Sequence, residues 1–118
     1  MASGVSSIDA VTLAVVDMAR SVAFYESLGF TPSYGGPDAT FTSFAVGGQH
    51  LNLILTDASG GAGWGRVIIH VDDVDAMHSR GVAAGHTPEA PPRDAEWGER
   101  YFHLDDPDGH QLSFARPL

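Results

Sequence analysis

Residues 101–114, YFHLDDPDGHQLSF, set two short β-prone runs on either side of an Asp-Asp-Pro-Asp-Gly cluster. That is the composition of a tight reversal between antiparallel strands. Pro107 pre-sets the φ that a type I turn needs at its second position, and Gly109 accepts the positive φ that follows. The stretch predicts a hairpin, and its strand residues recur in altered form in the first half of the chain.

Working outward, VTLAVV (11–16) has the β-branched content of a buried strand. Asp17 follows as the N-cap of a helix with Met18, Val22, Tyr25 and Leu28 on one face, and Gly29 ends it. A Gly/Pro/Asp loop from Pro32 to Asp38 leads to the runs TFTSFAV and HLNLIL, which flank Gly47-Gly48-Gln49 as another hairpin. Beyond a flexible linker, Ser59 to Gly63, the run RVIIHV (66–71) reads as a strand. Asp73 then reads as a cap, and Val74, Met77 and Ala84 as one face of a helix that stops at Gly85.

Adding 56 carries Asp17, Gly29, Thr31 and Pro32 to Asp73, Gly85, Thr87 and Pro88. Adding 61 carries Phe41, Gly48, Leu51, Asn52 and Leu53 to Phe102, Gly109, Leu112, Ser113 and Phe114. A cap, a stop, a Thr-Pro turn and a hairpin in one order predict two copies of a βαβββ unit, at about residues 8–57 and 64–116 of a single domain 1–118. The five-residue difference falls in the loop APPRDAEWGER. The expected class is α+β, with the two units forming a curved mixed sheet around a groove and the helices on the outside.

Period-two alternation assigns the faces. Val11, Leu13 and Val15, the leucines of HLNLIL, Val67, Ile69 and Val71, and Leu112 with Phe114 pack toward the helices. Ala10, Thr12 and Ala14, His50, Asn52 and Ile54, Arg66, Ile68 and His70, Tyr101 and His103, and Gln111 with Ser113 then face the groove, the natural place for a small ligand.

Composition limits what such a groove can serve. The 118 residues, 43% hydrophobic and 18% charged, suffice for a core without staples. No apolar run approaches the ~20 residues of a membrane span, so no membrane partner is expected. Fifteen acids against six arginines and no lysine give a net charge of −9, which disfavours a nucleic-acid partner. The opening MASGVSSID has no basic segment followed by an apolar core, so the expected location is cytoplasmic. Without cysteine there is no thiolate nucleophile and no Cys-held metal.

The runs AVTLAVVDMARSVAFYESLGF, VIIHVDDVDAMHSRG and YFHLDDPDGHQLSF together resemble the glyoxalase / bleomycin-resistance / extradiol-dioxygenase superfamily, also called vicinal oxygen chelate proteins, from about Ile8 to Phe114. The resemblance implies a homodimer and a groove in which enzymes of the family hold a divalent metal with His and Glu from the first and last strands of each unit. The matching positions here are Ala10, Asn52, Arg66 and Ser113. None is a usual ligand: alanine has no donor atom, arginine keeps its proton, and neutral Asn and Ser oxygens bind transition metals poorly. No cofactor is therefore expected at the usual place. Arg66 stands there instead, with a planar fork of donors suited to an anionic or carbonyl group; a salt bridge to a neighbouring acid is the other reading.

The inward His50, His70 and His103 come from three strands and are candidates for a displaced divalent metal site or for hydrogen-bonded groove walls. His70 or His103 near Arg66 is also a candidate catalytic base. His78 and His86 read as surface residues, and His110 as structural or exposed. Trp64 and Trp97 sit in loops expected to flank the groove mouth, where an indole stacks on a planar or cationic ligand or seals a contact. The expected activity is binding of a small organic ligand, such as an antibiotic or other planar molecule, by Arg66, His50, Asn52, Trp97, Tyr101, His103 and Ser113. The alternative is a glyoxalase- or dioxygenase-like isomerase, lyase or oxygenase.

Overall fold

The computed structural model describes residues 4–58 and 63–118. Most of the expected linker, Ser59 to Ala62, lies outside the described residues. The first unit runs β1 (Ala10–Val15), α1 (Met18–Ser27), β2 (Pro32–Tyr34), β3 (Phe41–Val46) and β4 (Gln49–Leu55). The second runs β5 (Arg66–His70), α2 (Val74–Ala83), β6 (Arg93–Asp94), β7 (Glu99–Asp105) and β8 (Gln111–Pro117). Each unit forms a four-stranded mixed sheet, ordered β1-β4-β3-β2 and β5-β8-β7-β6. The first and last strands of each unit pair in parallel and the rest are antiparallel.

Matching local chemistry starts and stops the two helices. The carboxylates of Asp17 and Asp73 each accept the backbone N–H three residues on, at 3.0 Å, satisfying a donor that the first turn leaves free. Gly29 and Gly85 follow the C-caps at φ +98° and +92°, values that suit only a residue without a Cβ. Ten-residue helices are marginal in isolation, so packing holds them. Met18, Val22, Tyr25 and Leu28 are buried on α1, each such apolar side chain contributing roughly 1.5–3 kcal/mol. On α2 Val74 is buried, but the expected face does not extend to Ala84. That residue caps the helix and is exposed, while Gly81 sits inside, its Cα facing Leu28 and Leu104. One hydrophobic cluster joins both units, from Leu13, Phe44 and Leu53 to Phe102, Leu112 and Phe114.

The strands β2 and β6 occupy stretches that composition reads as loops. Two or three residues show no periodicity, and Pro32 is tolerated on an edge strand because no donor is needed there. Register also corrects one arm of the repeat. Thr12↔Asn52 and Ile68↔Ser113 are equivalent pairs, as the offsets of 56 and 61 require. On the middle strands, however, Ala45↔His50 matches Asp105↔Gln111, an offset of 60. Phe41 therefore corresponds to Tyr101 rather than Phe102, and Ser43 to His103. The reason is the turn, which needs one residue more in the second unit than in the first.

That longer turn does more than reverse the chain. Its backbone closes as expected, with Gly109 N–H donating to Asp106 O at 2.9 Å and Gly109 at φ +84°. Its side chains then reach the first unit. The Tyr25 hydroxyl donates to Asp106 at 2.7 Å, and Asp108 accepts from Val16 N–H and from the Ser21 hydroxyl, both at 3.2 Å. Asp106 also accepts the N–H groups of Asp108 and His110. Burial raises its pKa above the ordinary carboxylate value despite those bonds. His110 is buried, and it accepts from the Trp64 indole at 2.8 Å while donating to Ala14 O at 2.7 Å. The turn is thus a strap between the units. Among the described residues no helix is long and apolar enough to cross a membrane.

Candidate functional site

A cavity of about 600 Å3 opens between the first strand of each unit, with Ala10, His50, Trp64, Arg66, Ile68 and His70 among its lining residues. Parallel pairing puts β1 beside β4 and β5 beside β8, so β1 and β5 are left as sheet edges and line the gap. Of the residues expected to face a ligand, the structure brings Arg66 and His50 to this cavity. Asn52, Trp97, Tyr101, His103 and Ser113 are not among its lining residues.

Trp97, Tyr101, His103 and Arg66 are connected to one another. They form a ladder across the inner wall of the second unit. The Trp97 and Tyr101 ring centroids are 5.6 Å apart at 31°, and Tyr101 and His103 are 5.1 Å apart. Arg66 Nη1 donates to His103 Nε2 at 3.0 Å, which links the ladder to the cavity edge. Ser113 is buried directly across from His103 on β8. Desolvation, followed by the positive charge of Arg66, lowers the His103 pKa below the ordinary histidine value. Because a guanidinium only donates, the bonded Nε2 must accept, and the proton of the neutral ring sits on Nδ1. That Nδ1 is buried and has no partner among the described residues.

The salt bridge considered for Arg66 is not formed: among the described residues no carboxylate lies within bridging distance of it, whereas Arg20 and Arg93 each have one and Arg100 has two. Arg66 is the cation available at the cavity edge. His70 instead lies 3.2 Å from Glu99, and Trp97 donates to the same carboxylate at 3.0 Å. His78 and His86 are half-buried rather than on the surface, the latter against Phe24 with centroids 4.5 Å apart.

The wall of the first unit is built of small neutral groups. Asn52 donates to Thr12 at 3.3 Å, and Ser43 stands across from Asn52 where His103 stands across from Ser113. Composition and alternation miss one residue of the second wall, Arg93. It pairs with Tyr101 in register, its Nε donates to the Tyr101 hydroxyl at 2.9 Å, and its guanidinium carbon lies 4.5 Å from the ring centroid. A two-residue strand gives no alternation to read, but an arginine in the loop that the first unit lacks was the available signal.

The positions where the fold family holds a divalent metal do not fit one. Ala10, Asn52, Arg66 and Ser113 supply no anionic or imidazole donor, and Arg66 brings a positive charge to the place. Nor do His50, His70 and His103 form a displaced set. Among the described residues no three His, Asp or Glu side chains are grouped so as to hold an ion, and His70 and His103 are bonded to Glu99 and Arg66.

Residues 7–114 match the family model for the Glyoxalase/Bleomycin resistance protein/Dioxygenase superfamily. An uncharacterized protein of Mycobacterium bovis is 33% identical over 90% of this chain and 80% of its own. The crystal structure of TioX from Micromonospora sp. ML1 superposes with a TM-score of 0.79 at 29% identity, covering 96% of this chain and all of that one. A bleomycin-binding protein complexed with bleomycin shares the fold, with a TM-score of 0.75 at 24% identity over 97% of this chain and all of that one. With two βαβββ units in the family's order and nearly the whole length matched, this chain belongs to the glyoxalase / bleomycin resistance protein / dioxygenase superfamily.

Proposed function

We propose that the chain is a small-molecule-binding protein that works without the metal of its enzymatic relatives, as a cytoplasmic homodimer. The observation that carries this reading is Arg66. At a position where the family places a metal ligand stands a cation with no carboxylate partner among the described residues, held 3.0 Å from His103 at the edge of a cavity of about 600 Å3. A guanidinium there binds a carbonyl or anionic group directly, doing by hydrogen bonding what a Lewis acid would do by coordination. Trp97, 67% exposed beside Tyr101, offers a planar ligand a stacking surface. A dimer is supported by Ile8, Ile54 and Ile68, apolar side chains left exposed on or near the inner strands.

A histidine base is less well supported, because the Nε2 lone pair of His103 is already taken by Arg66. Bleomycin, the ligand in the complex of the structural relative, supplies a first probe. Titration of bleomycin into protein purified without chelator, followed by tryptophan fluorescence, should show saturable binding that excess EDTA in the protein buffer does not weaken. Elemental analysis of the same protein should find far less than one divalent metal per chain. A stoichiometric metal that disappears on replacing His50, His70 or His103 would overturn the reading.

A further inference from the structure

The inner wall of the second unit carries two buried polar atoms without partners among the described residues, Arg93 Nη1 and His103 Nδ1. Both are donors. Arginine has no acceptor, and His103 must keep its proton on Nδ1 because Arg66 donates to Nε2. Arg93 has otherwise spent its fork: Nε donates to the Tyr101 hydroxyl and Nη2 to Glu89 at 3.4 Å. Buried polar groups are nearly always paired, and a matched pair of orphan donors calls for an acceptor.

Tyr101 connects them. Its ring centroid lies 4.5 Å from the Arg93 guanidinium carbon, 5.1 Å from the His103 ring and 5.6 Å from the Trp97 ring, the last at 31°. His103 is 8% exposed, so a ligand at these donors requires the Tyr101 ring to turn aside, which would free Arg93 Nε as a further donor, with a flat ring entering against Trp97 in its place.

We propose that this wall binds a planar aromatic ligand bearing a carboxylate, the ring stacked on Trp97 and the carboxylate held by Arg93 Nη1 and His103 Nδ1. The inference rests on the reading of the groove as a small-molecule site and specifies its ligand class. A planar cation is the competing class, favoured at long range by the net charge of −9. At this wall, however, two of the acids are already engaged. Glu99 holds the Trp97 indole and His70, and Glu89 holds Arg93. A cation would leave both orphan donors unpaired and would sit near two guanidiniums.

The test is calorimetric titration of the full-length protein with 2-naphthoate, its neutral isostere 2-naphthamide and the cation 2-naphthamidine. The expected order places naphthoate at least about tenfold tighter than either analogue, the discrimination that charge-assisted hydrogen bonds give over neutral ones. His103→Phe keeps a ring in the stack and removes the donor, and Arg93→Gln removes the fork. Each should lower naphthoate affinity about tenfold and naphthamide affinity by a smaller factor, so that the preference for the carboxylate shrinks, with an unfolding midpoint near that of the parent to show that the fold is kept. Naphthamidine binding as tightly as naphthoate, or an unchanged preference in both variants, would overturn the assignment. In that event bleomycin binding that persists leaves the small-molecule reading standing, whereas loss of binding to every probe retires both.

Discussion

The inner walls of the two units share a register and differ in chemistry. Thr12↔Asn52 with Ser43 in the first unit overlays Ile68↔Ser113 with His103 in the second, yet apart from His50 the first wall is small and neutral while the second carries Arg66, Arg93, Tyr101, His103 and Trp97. The turns differ in the same sense. A two-residue link, Gly47-Gly48, joins β3 to β4, while the longer turn between β7 and β8 straps its unit to α1 through Asp106 and Asp108. A repeated backbone therefore does not repeat its side-chain chemistry: the strand pairing of both copies is maintained, while most of the charged and aromatic side chains of the inner walls stand in the second.

The largest effect should come from breaking the strap. Asp106→Ala removes the acceptor of the Tyr25 hydroxyl and of two backbone N–H groups in a buried place, and should destabilise by about 3 kcal/mol in urea unfolding. In the shorter turn a Cβ at Gly48 meets nothing within 4 Å, so Gly48→Ala should shift stability by under about 0.5 kcal/mol. Equal costs in the two turns would remove this half of the contrast.

Next comes the difference between walls. Arg66→Ala should weaken bleomycin binding about tenfold, or ~1.4 kcal/mol, and Trp97→Ala by a similar factor, whereas Asn52→Ala in the first wall should change it by less than about threefold. A first-wall variant costing as much as Arg66→Ala would show that the ligand bridges both units. The helix caps sharpen the other side of the comparison, since Asp17→Ala and Asp73→Ala break the same 3.0 Å bond in each unit. Each should cost about 1 kcal/mol, by chemical denaturation, and a large disparity would mean that the units do not support one another equally.

The smallest effect is a pH dependence of stability. The His103 pKa is lowered in the folded protein, so the unfolded chain binds a proton more readily. Stability from this residue is complete above the ordinary histidine value of ~6.5 and declines as pH falls below it toward the folded value. Unfolding measured at pH 7 and pH 5 should therefore show a greater loss for the parent than for His103→Gln, and equal losses would place the titration elsewhere.

Much of the fold was legible because it rests on local signals. Asp17 and Asp73, Gly29 and Gly85, and the alternating runs of β1, β4, β5 and β8 specify caps, stops and faces within a few residues. The edge strands β2 and β6 were not legible, being too short for a period to show. The one-residue shift that pairs Ser43 with His103 was hidden because only hydrogen-bonded register counts the residues in a turn. In the site, Arg66 stood out as a cation where a metal ligand is expected. Arg93 did not, because its role depends on a strand pair that places it over Tyr101.

By itself, the sequence determined the doubled βαβββ plan and the chemistry that each strand could present, since these follow from local periodicity and from which side chains have donor atoms. Only the tertiary structure decided that Asp106 and Asp108 join the units, that Arg66 meets His103, and that Arg93 and His103 keep protons without a partner among the described residues beside Tyr101. Those contacts link residues up to 92 positions apart, such as Val16 and Asp108, and their partners are chosen by packing and desolvation, which no local stretch of chain encodes.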